Sequence, residues 1–415
     1  MRHSLANPAY RFGSSIIALG FISWALWWGF YQLWLTSDAS GLALGGAEVG
    51  LVYAIHGLCS AAAMIVYGVV QDKLDLKRHL MICVALLMTL TGPFVSWVYR
   101  PALESNIILG AILGGVFLAS AFTGMVGLVE AYVDRLSRRT GFEFGQARMW
   151  GSLGFACAML GAGFIFTANP VAIFWAASLG GAMMLGLLLI WKVPVTHGVV
   201  HATTPSLRDI VRITRERKFW VFVAFVLLTW ALYQIFETQL FPSYYTGLFD
   251  DDVTGQRLYG ALIFMQAALE SGLMASLPFV IYRVGVKNSM IASSLAMFIV
   301  VVGAGLSEHI VAVSVAKLVH AVLVPLMMVA VLKYIALHFA AELSATVFLA
   351  GFYVTNHIGA AMISPVLGAM RDRLGYQVVF LSMAIVMAVT AIWASRALCA
   401  DNEPSATVVS ALVRA

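Results

Sequence analysis

Charge is scarce in this chain of 415 residues: Asp, Glu, Lys and Arg make up 11% of it, against about 25% in an ordinary soluble domain. So few charges cannot cover the surface of a soluble protein this long. A bilayer requires no such cover, and 61% of the residues are hydrophobic, with a mean hydropathy of +0.90. A secreted enzyme, a nucleic-acid-binding protein and a disordered scaffold are excluded on this ground. The chain reads as an all-α, polytopic membrane protein whose first partner is the lipid bilayer.

Cysteine is also sparse. The four residues Cys59, Cys83, Cys157 and Cys399 are scattered, with no CxxC pair or Cys/His cluster to hold zinc or carry redox chemistry. No HExxH, GxSxG or Walker GxxxxGK[ST] pattern occurs, so neither a hydrolytic site nor ATP-driven transport by this chain alone is expected. No cofactor or metal is called for, and no enzyme activity. The apolar run from Ile16 to Leu35 is too long for a signal-peptide core, and no A-x-A site follows it, so it is expected to remain as a first span.

What is present is a succession of long apolar runs. A helix needs about 20 such residues to cross a bilayer. Runs of that order cover 14–35, 48–71, 79–98, 106–133, 144–167, 170–192, 219–246, 257–281, 288–306, 309–335, 343–366 and 376–396, which predicts twelve spans. With both termini cytoplasmic, Arg100, Arg257, Arg371 and Arg373 lie outside and Arg148 and Lys317 lie within spans. The other 19 of the 25 basic residues then fall on the inner side, as the positive-inside rule requires. The polar stretch 194–218 divides the spans six and six, as in transporters built from two halves. The expected domains are therefore a bundle at 1–193, a cytoplasmic linker at 194–218, a second bundle at 219–398 and a tail at 399–415. Gly68-Val-Val-Gln-Asp72-Lys73, with Lys77 and Arg78, follows span two, and Tyr282-Arg283-Val-Gly285-Val-Lys287 echoes it after span eight. The first fits the G-x-x-x-D-[RK] loop of the major facilitators, with Asp75 where a second glycine is usual.

Ionisable residues inside spans are costly and mark function by default. Here they are Glu130, Arg148, Glu237, Glu270, Lys317, His320, His357 and His56. Glu130 and Arg148 each lie nine residues from Arg139 in the turn between spans four and five, so both sit about 13–14 Å along antiparallel neighbours. Charges at one depth can pair as a structural salt bridge. They can also form a sugar site, because a carboxylate and a guanidinium fork accept from and donate to vicinal hydroxyls. Phe155 lies seven residues beyond Arg148 on the same helix face and offers a ring for the apolar face of a sugar; packing alone would equally explain it. Lys317 and His320 share a face of span ten, with Glu237 and Glu270 as available partners. His56 and His357 read as packing residues. Pro242 and Pro325 are expected to kink spans seven and ten.

The segments Phe21-Ile-Ser-Trp24-Ala-Leu-Trp27-Trp28, Phe142-Glu-Phe-Gly-Gln-Ala-Arg148-Met-Trp150-Gly, Tyr233-Gln-Ile-Phe-Glu237-Thr-Gln-Leu-Phe-Pro242, Arg257-Leu-Tyr-Gly260, Lys317-Leu-Val-His320 and Lys333-Tyr334 run in order along the chain. In them the sequence resembles the oligosaccharide/proton symporters, the lactose permease family of the major facilitator superfamily, and within it the sucrose carriers. The resemblance implies twelve transmembrane helices in two pseudo-symmetric six-helix bundles, alternating access, a monomer, and a disaccharide bound at mid-membrane. By matching motif, Glu130 and Arg148 look like the family's sugar-recognition pair and Phe155 falls at its stacking position, where lactose carriers have tryptophan. Glu270 and His320 match its second-half sugar and coupling residues, and Tyr233 matches a tyrosine near that histidine. Glu237 and Lys317 match its charge pair between spans seven and ten, with glutamate replacing aspartate.

Three departures stand out. The family's glutamate three residues after the span-ten histidine, its main candidate for proton release, is Leu323 here. Its arginine in span nine aligns to Val300, and a charge pair between spans seven and eleven becomes Gln234 and Asn356. Each loss is matched by loss of its partner, so no charge is stranded. If Glu130 pairs with Arg148 and Glu237 with Lys317, Glu270 has only His320 in prospect. Low dielectric then favours its neutral form, which makes Glu270 a candidate proton site. The first functional expectation is import of a disaccharide such as sucrose with a proton, through the inner membrane of a bacterium. An uncoupled facilitator or exchanger is the second, on the strength of Leu323 and Val300. A membrane sugar sensor is a third, from a different class.

Overall fold

In a computed structural model of the chain, residues 7–40, 42–74, 76–191, 213–274, 276–340 and 343–402 are described. The side chains of Asp72 and Lys73, residue Asp75, the linker up to 212 and the tail beyond 402 lie outside the described residues. Every regular element among those described is helical.

Among the described residues, nine helices are long and apolar enough to cross a membrane, and a tenth is the pair His79–Thr89 and Thr91–Ser105, bent by 48°. Numbered in chain order they are α1 Pro8–Thr36, α2 Gly46–Leu74, the bent α3, α4 Ile107–Thr140, α5 Phe144–Ala168, α6 Ala172–Ile190 and α7 Arg217–Thr246. The eighth, α8, is Asp252–Leu273 continued by Leu277–Val284. It falls outside the apolar set because its polar residues, among them Gln256, Arg257, Gln266 and Glu270, keep its hydropathy low. Next come α9 Val286–Leu306 and α10 Ile310–His338. The final stretch, Val347–Ala397, is two helices: Gly375 breaks it at φ 80° and ψ 173°, a left-handed position suited to glycine. Splitting there gives α11 (347–374) and α12 (376–397), and twelve in all.

Local chemistry starts these helices where they start. Asn7 caps α1, accepting from the N–H of Ala9 at 2.9 Å, with Pro8 in the first turn. Asn106 caps α4 by accepting from Ile108 and Leu109. The exposed side chains of α6, and those of α12 up to Trp393, are apolar, among them Leu179, Met183, Ile190, Ile385 and Val389, as a hydrocarbon surround requires.

The chain divides into two compact units, Met1–Thr203 with Pro242–Ala268, and Thr204–Phe241 with Leu269–Ala415, counting in each only the described residues. In the first, α1 packs against α5 and α6. The segment after Pro242 joins this unit through a hydrogen bond of 2.6 Å from Gln32 to Ser243 and the contact of Phe30 with Tyr259. In the second, α9 packs against α10 and α12, and α7 against α11.

Several helices contain single π turns, which recur at functional sites in proteins generally. In α7 they fall at Leu227–Ala231 and Phe236–Leu240. The second precedes Pro242, whose missing N–H cannot complete the regular ladder, and it carries Glu237. In α10 the regular helix is interrupted at Val319, between Lys317 and His320, while Pro325 lies within the continuous part.

Candidate functional site

In the first unit, α4 and α5 form an antiparallel hairpin through the turn at Gly141, which brings Glu130 opposite Arg148. Nε of Arg148 donates to Oε1 of Glu130 at 2.5 Å, and its Nη1 donates to Ser152 at 3.1 Å. The guanidinium lies 4.2 Å from the centroid of the Phe21 ring on α1, a cation–π seat that fixes its plane. The contact uses one edge of the fork. Among the described residues, Oε2 of Glu130 and Nη2 of Arg148 have no hydrogen-bond partner, and each side chain keeps 32% of its surface exposed. An acceptor and a donor side by side, held in place and open to solvent, can take two neighbouring hydroxyls of a polyol.

Phe155 faces the same region. Its ring centroid is 5.5 Å from that of Trp24, tilted by 57°. Trp24 in turn contacts Phe21 at 5.7 Å and Trp28 at 6.4 Å. Sequence reasoning passed over Phe21, Trp24, Trp28 and Ser152 as site residues. The signal was there in the spacing of 21, 24 and 28, which places all three on one face of α1. What the spacing lacked was the packing: Phe21 and Trp24 meet Arg148 and Phe155 of α5, and Trp28 meets Tyr53 and His56 of α2.

The second unit gathers Tyr233, Glu237, Lys317 and His320. Lys317 is fully buried and donates to Oε2 of Glu237, with its ammonium 4.8 Å from the Phe241 ring. His320 Nδ1 lies 3.2 Å from the same Oε2 and 2.7 Å from the Tyr233 hydroxyl. Two oxygens converging on Nδ1 favour the tautomer with its proton there.

The approach of His320 to Glu270 is not made: among the described residues His320 is held by Tyr233 and Glu237. Glutamate, one methylene longer than aspartate and carried on a π turn, reaches both Lys317 and His320 of α10. Glu270 is half-buried on α8 with contacts of its own, so the premise that His320 was its one prospect does not hold. Leu323 and Val300 are buried and act as core, with Ser293 of α9 donating to the Leu323 carbonyl at 2.7 Å. Gln234 and Asn356 are half-buried, no hydrogen bond joins them, and Oδ1 of Asn356 has no partner among the described residues. His56 packs on Trp27 and Trp28, and His357 is half-buried on α11.

Comparison with known proteins places these residues in a lineage. Residues 3–409 match the LacY proton/sugar symporter family. The sucrose permease of Escherichia coli is 39% identical over 91% of this chain and 91% of its own length. The raffinose permease of the same species is 33% identical over 88% and 86%. The crystal structure of the nucleoside transporter NupG superposes with a TM-score of 0.79, covering 94% of this chain and 98% of its own at 16% identity. That likeness fixes the fold as a major facilitator, and the sequence match fixes the lineage. The chain is a membrane transporter, not an enzyme, and belongs to the LacY proton/sugar symporter family.

Proposed function

We propose that this protein imports a disaccharide, sucrose or a close relative, together with a proton by alternating access. It does so as a monomer in the inner membrane of a bacterium, with both termini cytoplasmic. The bundles 1–193 and 219–398, joined by the linker 194–218, are the moving bodies of that cycle. The observation that carries the reading is the open edge of the Glu130–Arg148 pair, a hydroxyl-binding fork inside a chain of this lineage. Phe155 supplies the stacking ring. Glu270, His320, Gln234 and Asn356 are the sugar candidates of the second unit. Tyr233, Glu237, Lys317, His320 and Glu270 form the network through which a proton is coupled.

A second reading is favoured by a specific observation. Leu323 and Val300, both buried and apolar, stand at the positions of the family's main candidate glutamate for proton release and of the arginine that works with it. Facilitated entry without a proton is the transport this loss would leave. One experiment separates the two. Purified protein in proteoliposomes is given sucrose, melibiose, raffinose or lactose with no other gradient, and external pH is followed with sugar entry. Alkalinisation with one sugar supports symport; entry of that sugar at constant pH establishes a facilitator; entry of none removes the disaccharide reading.

A further inference from the structure

The row of rings on α1 extends beyond the polar fork. Phe21 is buried beneath the Arg148 guanidinium, and Trp27 is buried among Tyr31, Phe122 and His56. Trp24 and Trp28, by contrast, are only half-buried. Their planes are inclined by 29°, with centroids 6.4 Å apart, close to the rise of about 6 Å for four helical residues. Phe155 meets Trp24 at a steep tilt and closes that end as a wall. The line from Arg148 through Trp24 to Trp28 thus spans about 10 Å along α1, with hydroxyl-binding groups at one end and two indoles in near-parallel planes leading away, the second backed by Tyr53 and His56.

We propose that Trp24 and Trp28 form a second sugar subsite in the first unit, in which the indole of Trp28 stacks on the ring that Glu130 and Arg148 do not hold. This rests on the disaccharide reading and deepens it. A sugar ring presents C–H groups on its face and hydroxyls at its edge. The edge is satisfied at Glu130, Arg148 and Ser152, and the face is desolvated against an indole. A monosaccharide anchored at the fork reaches Trp24 and Phe155 and stops short of Trp28. A disaccharide covers the whole row. Trp28 is therefore a specificity-determining residue that reads the length of the sugar, whereas Arg148 reads its hydroxyls.

The test uses the full chain purified in detergent, with titration calorimetry of sucrose, melibiose, lactose and raffinose, and competition by their component monosaccharides. Trp28→Leu is expected to weaken the disaccharide that the parent binds by about tenfold, with recovery in Trp28→Phe, which restores a flat ring. Competition by the monosaccharides should stay within about twofold of the parent, and the unfolding midpoint of the sugar-free protein should not move. Unchanged disaccharide affinity in Trp28→Leu, an equal loss for the monosaccharides, or no recovery in Trp28→Phe would overturn the subsite while leaving the disaccharide reading intact. A parent that binds none of the four sugars overturns the disaccharide reading itself, and the subsite with it.

Discussion

Glu237 and His320 meet at an oxygen that is already in use: Oε2 of Glu237, which accepts from buried Lys317, lies 3.2 Å from Nδ1 of His320. One carboxylate thus serves two nitrogen groups of α10. Its surroundings differ from those of the other intramembrane pair. The Lys317 and Glu237 side chains are 0% and 14% exposed, while Arg148 and Glu130 are 32% each. Removing half of a buried pair strands a charge, whereas an accessible pair loses little when broken.

Glu237→Gln should therefore destabilise the protein by about 3–5 kcal/mol, since it leaves the Lys317 ammonium buried without a counter-charge. Thermal unfolding in detergent would show a clear drop in midpoint. The double variant Glu237→Gln/Lys317→Met removes both charges and should recover most of it. A double variant as unstable as the single one would show that the pair does not act as a unit.

Arg148→Lys should behave in the opposite way. Lysine keeps the charge and loses the planar fork, so sugar binding should fall by about tenfold or more while the unfolding midpoint stays near that of the parent. Calorimetric titration alongside thermal unfolding distinguishes the two effects. Full sugar affinity in the variant would make Arg148 a structural residue.

Restoring a carboxylate at Leu323 without a cation at Val300 should be costly. Both positions are buried, and a lone carboxylate there must either neutralise or unfold its surroundings. Leu323→Glu is expected to lower the unfolding midpoint and to raise it again as pH falls and the carboxylate takes up a proton. A midpoint independent of pH and equal to the parent's would mean that a counter-charge reaches position 323.

The tail after α12 is tied to the start of α9. Asp401 accepts from the N–H groups of Val286 at 2.6 Å and Lys287 at 2.9 Å, while Lys287 donates to the Leu398 carbonyl at 2.7 Å. Gly285, at φ 90°, has no side chain to block the carboxylate: a Cβ there would fall 2.6 Å from Oδ2 of Asp401. Asp401→Ala should cost about 1–2 kcal/mol, as loss of a helix cap does, and Asp401→Asn less. Equal unfolding midpoints for parent and Asp401→Ala would show that the tail contributes nothing to stability.

Much of this protein is legible in its residues alone. Long apolar runs separated by short polar turns leave a membrane as their one plausible solvent, because backbone groups in hydrocarbon must be paired within each helix. The pairing of Glu130 with Arg148 also follows from local arithmetic, since both count nine residues from one turn. Lys317 and His320 share a face for the same reason. Contacts between helices distant in sequence do not follow from such counting. Which helices the rings of α1 would meet is one such case: Trp24 meets Phe155 of α5, and Trp28 meets Tyr53 and His56 of α2. The choice of Glu237 as partner for His320, in place of Glu270, depended on a π turn ahead of Pro242 and on one extra methylene. Composition and spacing determined the class of protein, the number of spans and the charged residues to watch, because those rest on solvation and helical period. Only the tertiary structure decided which side chains share an oxygen and which rings stay open, because those depend on packing between helices far apart in the chain.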